Sequence, residues 1–339
     1  MQLETLEDLG GRPRNRLPAL LCALGFALAA GAVAWTLLRG GAKGEAESGA
    51  GAGTEAPESS AAVSAAPAGP EAAETAAAPA AAPERGASAG SAGAAVRDAL
   101  AAAKTLEAQG KAWDARETLL AALGSAGAAE RPEIEAALGR LADAIYLTPR
   151  PAPGKVEYAI KPGDSLSSIA SSFVCPVAFI MKANGISDPS RIRPGQRLVF
   201  PDHPKFEVKV SKEENSLLLT LGGSFYKRYV VGTGRDARTP VGTFRIRDRI
   251  EHPEWWSESG KTIPYGDPEN VLGTHWLALE ATGDTPRVSG YGIHGTWDDT
   301  SLGKQSSAGC VRMSNRDVEE LFTLLPRGTP VTITEGPLE

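Results

Sequence analysis

The run FEVKVSKEENSLLLTLGGSFYKRYVV at residues 206–231 decides the fold of the C-terminal part of this chain. Apolar and polar residues alternate over 206–210, and Leu217, Leu219 and Leu221 recur at every second position; a period of two predicts β-strands. The pair Gly222-Gly223 stands between two such runs, which predicts a β-hairpin. The pattern therefore predicts a β-sheet that begins near Lys205.

Further strand-like runs and one helix follow this hairpin. The runs are 241–250, 276–280, 291–294 and 329–334. A capping box of Ser314 and Asp317 predicts the start of a helix, and Pro326 with Gly328 predicts its end. Residues 205–335 are therefore predicted to form a mainly-β domain, either a sandwich or a barrel, with a small helical component.

One cysteine and one histidine in this domain form a candidate catalytic pair. Cys310 lies sixteen residues after His294 and directly after Gly309. A thiol is poorly nucleophilic at neutral pH, and an adjacent imidazole activates it by accepting its proton. Gly309 leaves room for an acyl carbonyl and for N–H groups that face an oxyanion. Arg312 adds a charge that anchors a carboxylate or favours the thiolate. The alternative is an unreactive core thiol and a distant surface histidine.

The motifs around this pair resemble those of the YkuD-type L,D-transpeptidase family. They are His294-Gly295-Thr296, then Ser307-x-Gly309-Cys310-Val311-Arg312, and upstream Thr239-Pro240-x-Gly242. The resemblance implies a cysteine acyltransferase that attacks the third residue of a peptidoglycan tetrapeptide stem and releases D-alanine. The acyl group then passes to an amine, in cell-wall crosslinking or protein-to-wall attachment. The alternatives are an L,D-carboxypeptidase or crosslink-cleaving hydrolase that uses the same site, and a catalytically inert wall-binding protein.

The resemblance also assigns roles to the residues of the pair and their neighbours. Cys310 is implied as the nucleophile and His294 as the base that later acts as the acid. Gly309 and Cys310 are implied as oxyanion donors, because their backbone N–H groups flank the nucleophile. Arg312 is implied as substrate or electrostatic support.

The remaining motif positions carry weaker implications. Ser307 is implied to belong to the catalytic set, and Gly295 and Thr296 to the substrate-binding set. Many relatives have a histidine where this chain has Ala308, so any role of that histidine is absent here. A backbone carbonyl near Ser306 or Ser307 is expected to orient the catalytic histidine.

A Pro- and Gly-rich insertion precedes the histidine motif. It carries Trp255, Trp256 and Tyr265, and loops of this kind are frequent active-site lids. The alternative is a surface loop with its own small cluster. His275, which follows the insertion, is expected to be a structural or groove-lining residue.

Residues 155–202 have the pattern of a compact βααβ unit. Short strands are predicted over 156–160 and 198–200, and Ser165 is placed to cap the first helix. Asn184-Gly185 is placed to end the second helix. The motifs Lys161-Pro162-Gly163-Asp164-Ser165-Leu166, Asn184-Gly185 and Ile192-Arg193-Pro194-Gly195-Gln196 resemble those of a LysM domain. This resemblance implies binding of N-acetylglucosamine-containing glycan, mainly peptidoglycan or chitin, in a shallow groove between two loops.

The implied groove has two walls. One comprises Gly163, Asp164, Ser165 and Leu166, and the other comprises Ile186, Ser187, Asp188 and Pro189. Turn formation and helix capping are the alternative roles of Gly163, Asp164 and Ser165.

Two further segments precede the LysM-like unit. Residues 94–147 carry apolar residues three and four apart, which predicts about three helices. They resemble one and a half tetratricopeptide-type helix pairs, expected as a spacer or as a packing and partner platform. Residues 39–93 are almost wholly small, proline and polar residues, and such composition predicts a disordered linker.

The N-terminus has the pattern of a membrane anchor. Residues 17–38 form a stretch of 22 residues without a charge, long enough for a helix that crosses roughly 30 Å of hydrocarbon. Arginines flank its start, which favours a cytoplasmic tail over 1–16. We expect a single-pass protein of the bacterial cytoplasmic membrane with its LysM-like and catalytic domains in the periplasm or cell-wall space. A cleaved signal peptide is the alternative.

Composition limits the other function classes. The 339 residues carry 35 Lys and Arg against 41 Asp and Glu, a net charge of −6, which argues against a nucleic-acid partner. Only three cysteines occur, Cys22, Cys175 and Cys310, without a zinc-binding spacing or a disulfide framework. No cofactor or metal is predicted, and the expected partners are peptidoglycan glycan strands, peptide stems and the membrane.

Overall fold

This computed structural model describes residues 86–257 and 259–338, with side chains from residue 93 onward. The predicted cytoplasmic tail, the membrane span over 17–38 and most of the linker lie outside these residues. Within them, no single helix is long and apolar enough to cross a membrane. Only the two short helices Leu166–Ser172 and Val177–Ala183, bent by 106°, pass this test together, by length and composition.

Three helices open the described part of the chain: α1 (Gly86–Ala108), α2 (Ala112–Leu123) and α3 (Arg131–Tyr146). Helix α1 begins eight residues before the predicted helical region, inside the predicted linker. Its first turns are rich in alanine, the best helix former, although they also carry glycine and serine. The low apolar content that indicated disorder is thus compatible with a helix at this point.

A βααβ unit follows, as predicted. Strands β1 (Lys155–Ala159) and β2 (Arg197–Pro201) pair antiparallel, and helices α4 (Leu166–Ser172) and α5 (Val177–Ala183) lie between them in sequence. The Ser165 side chain accepts a hydrogen bond from the Ser168 N–H, and the Ser168 side chain accepts one from the Ser165 N–H. These two bonds form a capping box.

Residues 206–334 form the mainly-β domain. Its strands are β3 (Phe206–Ser211), β4 (Ser216–Leu221), β5 (Ser224–Val230), β6 (Thr233–Gly234), β7 (Gly242–Glu251), β8 (Trp255–Trp256), β9 (Thr262–Ile263), β10 (His275–Ala281), β11 (Gly292–Thr296), β12 (Gln305–Ser307), β13 (Val311–Ser314) and β14 (Pro330–Thr334). Helix α6 (Asn315–Leu324) begins after the cap Ser314, whose side chain accepts a hydrogen bond from the Asp317 N–H.

Eight of these strands form one mixed sheet in the order β13-β11-β10-β7-β14-β3-β4-β5. The pairs β11–β13 and β14–β3 are parallel, and the others are antiparallel. An isolated bridge joins Gly232, just after β5, to Arg312 of β13. The two ends of the strand order therefore meet, and the sheet is barrel-like.

The end of α3, the βααβ unit and the sheet share one hydrophobic core. Buried residues of α1, α2 and α3 form a second core with Leu218 and Phe225 of the sheet. Tyr146 of α3 lies 5.8 Å from Tyr226 of β5 between ring centroids, and Tyr226 lies 5.6 Å from Phe206 of β3. Phe179 of α5 lies 6.2 Å from the same Phe206. Aromatic rings at such separations pack favourably, so these units form a continuous interior.

Charged pairs reinforce the contact between α3 and β5. Arg228 donates from Nε and Nη2 to the two carboxylate oxygens of Glu135, at 2.8 and 3.2 Å. Lys227 lies between Asp143 at 3.1 Å and Glu320 of α6 at 2.7 Å. Removal of one partner from a buried pair leaves an uncompensated charge. The helical region therefore packs against the mainly-β domain and is not a detached spacer.

Candidate active site

The strand register brings the two catalytic motifs together. Strand β11 lies between β10 and β13, and His294 of β11 pairs with Arg312 of β13 and with Trp276 of β10. Cys310 stands two residues before Arg312, where the chain enters β13. His294 and Cys310, sixteen residues apart in sequence, are thus brought to adjacent parallel strands.

His294 is held as a neutral base. Its side chain is buried, with 3% exposed, and its ring is stacked on Trp276 at 5.5 Å between centroids. Burial lowers the pKa of His294 to about 4, and the nearby Arg312 charge acts in the same direction; the carbonyls of Gly295 and Leu272, which favour the charged ring, oppose this shift. The imidazole is therefore uncharged at neutral pH.

The tautomer of His294 follows from its partner. Nδ1 lies 2.6 Å from the carbonyl oxygen of Gly295, and a carbonyl only accepts hydrogen bonds, so Nδ1 carries the proton. The unprotonated Nε2 is then available as the base. The prediction of an orienting backbone carbonyl fits this geometry, but the residue was wrong: the carbonyl belongs to Gly295, and not to Ser306 or Ser307.

Cys310 is half-buried, and its thiol is protonated at rest. Burial raises the pKa of the Cys310 thiol above its usual value, while a hydrogen bond from Gly292 and the Arg312 charge act in the opposite direction. Its Sγ lies 3.6 Å from the carbonyl oxygen of Gly290. A protonated thiol and a neutral imidazole require proton transfer before or during attack.

Cys175 is more deeply buried than Cys310, and it does not line the cleft. Its side chain is 2% exposed within the shared core, and burial raises its pKa to about 12. Such a thiol is unreactive, so Cys175 is a packing residue of the core.

The turn before the nucleophile is held by Ser307. The Gly309 N–H donates to Ser307 Oγ at 3.1 Å, and that hydroxyl donates to the Cys310 carbonyl at 2.7 Å. The Gly309 N–H is therefore occupied, which corrects its expected role as an oxyanion donor. Ser307 acts through this turn, as a residue that shapes the backbone beside Cys310.

Glycine is required at position 309 for two reasons. Its φ of +143° is a conformation that other residues rarely adopt. A Cβ there would lie 2.8 Å from the ring of Tyr291. Tyr291 thus closes one side of the nucleophile's turn.

Arg312 contributes its charge to the cleft. Its backbone exchanges two hydrogen bonds with Gly232, both of 2.8 Å, which fixes the position of its Cα. Its Nε is buried and has no hydrogen-bond partner among the residues that the structure describes. This donor is compatible with the predicted role in substrate or electrostatic support.

Cys310 and His294 line a cleft of about 880 Å³. The other lining residues are Ile250, His252, Pro253, Glu254, Trp255, Trp256, Val271, Leu272, Trp276, Ser289, Gly290, Tyr291, Ser307, Ala308, Gly309 and Arg312. Ligand-binding clefts commonly enclose roughly 300–1,000 Å³, so this cleft is large enough for a peptide segment.

The predicted insertion forms a wall of the cleft. Its hairpin β8–β9 places Trp255 and Trp256 along the cleft, and Trp256 is 76% exposed. The Asn270 amide donates to the carbonyls of Pro253 and Ile263 at 3.0 and 3.1 Å, which ties the ends of the insertion together. Its tryptophans therefore belong to the cleft.

A second hollow, of about 470 Å³, lies beside the insertion and α6. His275, Tyr265 and His252 line it, and His252 also lines the catalytic cleft. The His252 and Tyr265 rings stack at 4.1 Å between centroids. His275 is therefore groove-lining, but in this second hollow.

Three predicted binding residues are buried and do not line the surfaces to which they were assigned. Gly295 and Thr296 are buried and do not line the cleft, and Asn315 of α6 lies against Gly295. Gly295 instead acts through its carbonyl. Leu166 is 2% exposed and lies in the shared core, so it does not form a groove wall.

The other LysM-like positions lie in two surface turns. Asp164 accepts hydrogen bonds from Tyr158 Oη and the Lys161 N–H, both at 2.8 Å, and Asp188 accepts from the Ser190 N–H at 2.9 Å. These contacts are the turn chemistry that the alternative interpretation expected. Gly163, Ser165, Ser187 and Pro189 are exposed, and Ile186 is half-buried.

Comparisons with known proteins agree on the two folded domains. A family model of the L,D-transpeptidase catalytic domain, YkuD, matches residues 205–333, and a LysM domain model matches residues 158–201. The putative L,D-transpeptidase YkuD of Bacillus subtilis is 35% identical over 182 residues, which cover 52% of this chain and 97% of the relative. The putative L,D-transpeptidase YqjB of the same organism is 40% identical over 129 residues, covering 38% of this chain and 70% of the relative.

Solved structures of the same enzyme class are more distant. An L,D-transpeptidase from Mycobacterium smegmatis is 19% identical, with a TM-score of 0.32 over 41% of this chain and 63% of that chain. The Bacillus subtilis relative, matched over nearly its whole length, decides the family. This chain belongs to the YkuD family of L,D-transpeptidases and carries a LysM domain at residues 158–201.

Proposed function

We propose that this chain is a peptidoglycan L,D-transpeptidase with Cys310 as its nucleophile and His294 as its base. The observation that carries the proposal is that the buried His294 ring, with Nδ1 2.6 Å from the Gly295 carbonyl oxygen, lines the same cleft as the Cys310 thiol. The Cys310 thiol has a proton to give, and the neutral His294 ring has a free lone pair at Nε2 that accepts it.

Acylation begins at the third residue of a tetrapeptide stem. Cys310 Sγ bonds to the carbonyl carbon while its proton passes to His294 Nε2, and the carbonyl π electrons move to the oxygen. The tetrahedral oxyanion then collapses, the bond to the terminal D-alanine breaks, and His294 returns the proton to the leaving amine. The products are a thioester on Cys310 and free D-alanine.

Transfer repeats these steps with a new nucleophile. An acceptor amine attacks the thioester carbonyl and loses a proton to His294. Collapse of the second oxyanion expels the thiolate of Cys310, which recovers the proton from His294. The new amide is a crosslink when the acceptor is a second stem, or a wall attachment when the acceptor is a protein.

The proposed setting is the outer face of the bacterial cytoplasmic membrane. The charge-free stretch over 17–38 supports a single-pass anchor, and the LysM domain supports contact with the glycan strands of the wall. Linkage of two sites that bind one polymer raises the local concentration of each site's ligand at the other.

Mass spectrometry of the full-length chain in detergent tests the proposal. With a disaccharide-tetrapeptide, we expect a thioester at Cys310, release of D-alanine and a crosslinked dimer. Cys310→Ala should lose all three products, whereas Cys175→Ala should retain them within a few-fold. Wild-type crosslinking by Cys310→Ala would refute the assignment. D-alanine release without any dimer, even with added acceptor amines, would favour the hydrolase.

A further inference from the structure

The backbone N–H and carbonyl groups of Gly309 and Cys310 have hydrogen-bond partners among the described residues, except one. Ser307 binds the Gly309 N–H and the Cys310 carbonyl. The Gly309 carbonyl accepts from Thr239 Oγ1 at 2.8 Å. Among residues 86–257 and 259–338, the Cys310 N–H has no hydrogen-bond partner. This N–H belongs to the nucleophile and is the donor that remains for a substrate oxygen.

The direction of that N–H is linked to the direction of the Gly309 carbonyl. Both groups belong to one peptide unit, and in a planar trans peptide the C=O and the following N–H point in opposite directions. Thr239 does not line the cleft, whereas Cys310 does. A carbonyl that points at Thr239 therefore directs the Cys310 N–H away from Thr239, toward the cleft.

The peptide needs such a restraint because a glycine precedes it. Tyr291 and the φ of +143° require glycine at position 309, but glycine also permits rotation of the following peptide at little steric cost. A rotated peptide would turn the Cys310 N–H away from an oxyanion. The hydrogen bond to the Gly309 carbonyl opposes this rotation.

Thr239 is itself fixed and enclosed. It is 1% exposed, and its Oγ1 accepts from the Gly234 N–H at 2.7 Å. Since that lone pair is taken, its hydroxyl hydrogen is available for the Gly309 carbonyl. A Cβ at Gly234 would lie 2.7 Å from the Thr239 nitrogen and 2.9 Å from the Gly309 Cα, so this junction is too close-packed for a larger residue.

We propose that Thr239 is a positioning residue, whose hydroxyl holds the Gly309–Cys310 peptide so that the Cys310 N–H meets the developing oxyanion. The proposal rests on the proposed function, since it concerns the same acyl transfer. Thr239 takes no proton and touches no substrate. It acts when the carbonyl π electrons move onto oxygen, because a preset donor then needs no reorganisation.

Two reactions of Cys310 separate this role from a merely structural one. Acylation by a carbapenem forms an oxyanion at the carbonyl oxygen, whereas alkylation by iodoacetamide displaces iodide at carbon and forms none. Both reactions need the Cys310 thiolate and an intact cleft. The ratio of their second-order rate constants at Cys310 therefore reports on oxyanion stabilisation. Both rates are measured on the full-length chain by mass spectrometry.

Thr239→Val keeps the shape of the side chain and removes its hydroxyl. Loss of one oxyanion donor slows catalysis by about 10²–10³-fold; loss of its orientation alone should lower the acylation-to-alkylation ratio by about ten- to a hundredfold. Thr239→Ser, which keeps the hydroxyl, should restore most of the ratio. The matched control is Thr329→Val, which removes a buried hydroxyl that donates to the Pro326 carbonyl at 2.8 Å and should leave the ratio unchanged.

The outcomes are distinct. A ratio that falls in Thr239→Val and recovers in Thr239→Ser supports the proposal. Equal losses of acylation and alkylation would refute it and leave Thr239 as a structural residue, as would an unchanged ratio in Thr239→Val. A wild-type Cys310 that iodoacetamide alkylates but neither a carbapenem nor the stem peptide acylates would instead refute the proposed function.

Discussion

The rate of acylation of Cys310 should stay high well below the pH at which an ordinary histidine becomes protonated. Burial lowers the pKa of His294 from 6.5 to about 4. At 1.36 kcal/mol per pKa unit, this shift corresponds to about 3 kcal/mol in favour of the neutral ring. Only the neutral ring accepts the thiol proton, so the rate should be nearly flat from pH 7 to 5 and half-maximal near pH 4.

The assay is the second-order rate of carbapenem acylation between pH 3.5 and 8, because this quantity reports the pKa values of the free enzyme. The same shift affects stability: the unfolded histidine gains its proton below about pH 6.5, so the stabilisation from neutral His294 is complete above that pH and is lost as the pH falls toward 4. Circular dichroism at each pH checks that the chain is folded. An acid limb centred near pH 6.5 with a folded chain would refute the argument.

Three further predictions concern other parts of the chain. Glu135→Ala leaves the half-buried Arg228 without its bidentate partner and should cost about 3 kcal/mol of unfolding free energy in urea, whereas Glu133→Ala, at an exposed pair, should cost less than about 1 kcal/mol. Ser187→Trp, in a LysM surface turn, should reduce pelleting with protein-free peptidoglycan and lower turnover of polymeric wall more than of soluble muropeptide; equal losses would contradict a glycan role. A reporter that is active only outside the cytoplasm, fused after Pro83, should be active and remain in the membrane fraction, and a soluble product would favour a cleaved signal peptide.

Local sequence patterns were sufficient to predict most of the elements. The period of two over 206–231 and the glycine pair predicted β3 to β5, and the cap at Ser314 predicted α6. These signals lie within a few residues of the feature they specify. By contrast, α1 begins at Gly86, where small residues suggested disorder, because composition alone does not separate a solvated helix from a flexible chain.

The site was predictable where a side chain performs the chemistry, and less so where the backbone does. The motifs placed Cys310 and His294, and their strands bring them into one cleft. The carbonyl of Gly295 and the occupied N–H of Gly309 depend on which way each peptide unit faces. Every residue has such groups, so residue identity does not reveal their orientation.

Sequence periodicity also could not predict which distant elements pack against each other. The periodicity of α3 predicted an apolar stripe but not its neighbour, and the contact with β5 joins residues about ninety positions apart. In the sequence, a charged residue such as Arg228 indicates a solvent-exposed position on a strand. Its partial burial is explained only by its pairing with Glu135.

The core that Phe179 of the LysM domain shares with Phe206 of the catalytic sheet has a geometric consequence for work on a polymer. Two modules joined by a flexible tether sample many distances from each other, whereas modules that share a hydrophobic core stay at a fixed distance. A glycan strand held at the LysM turns would therefore be presented to Cys310 at a set offset and angle. The protein would then select among chemically identical stems by their distance from the place where the LysM turns bind the glycan strand.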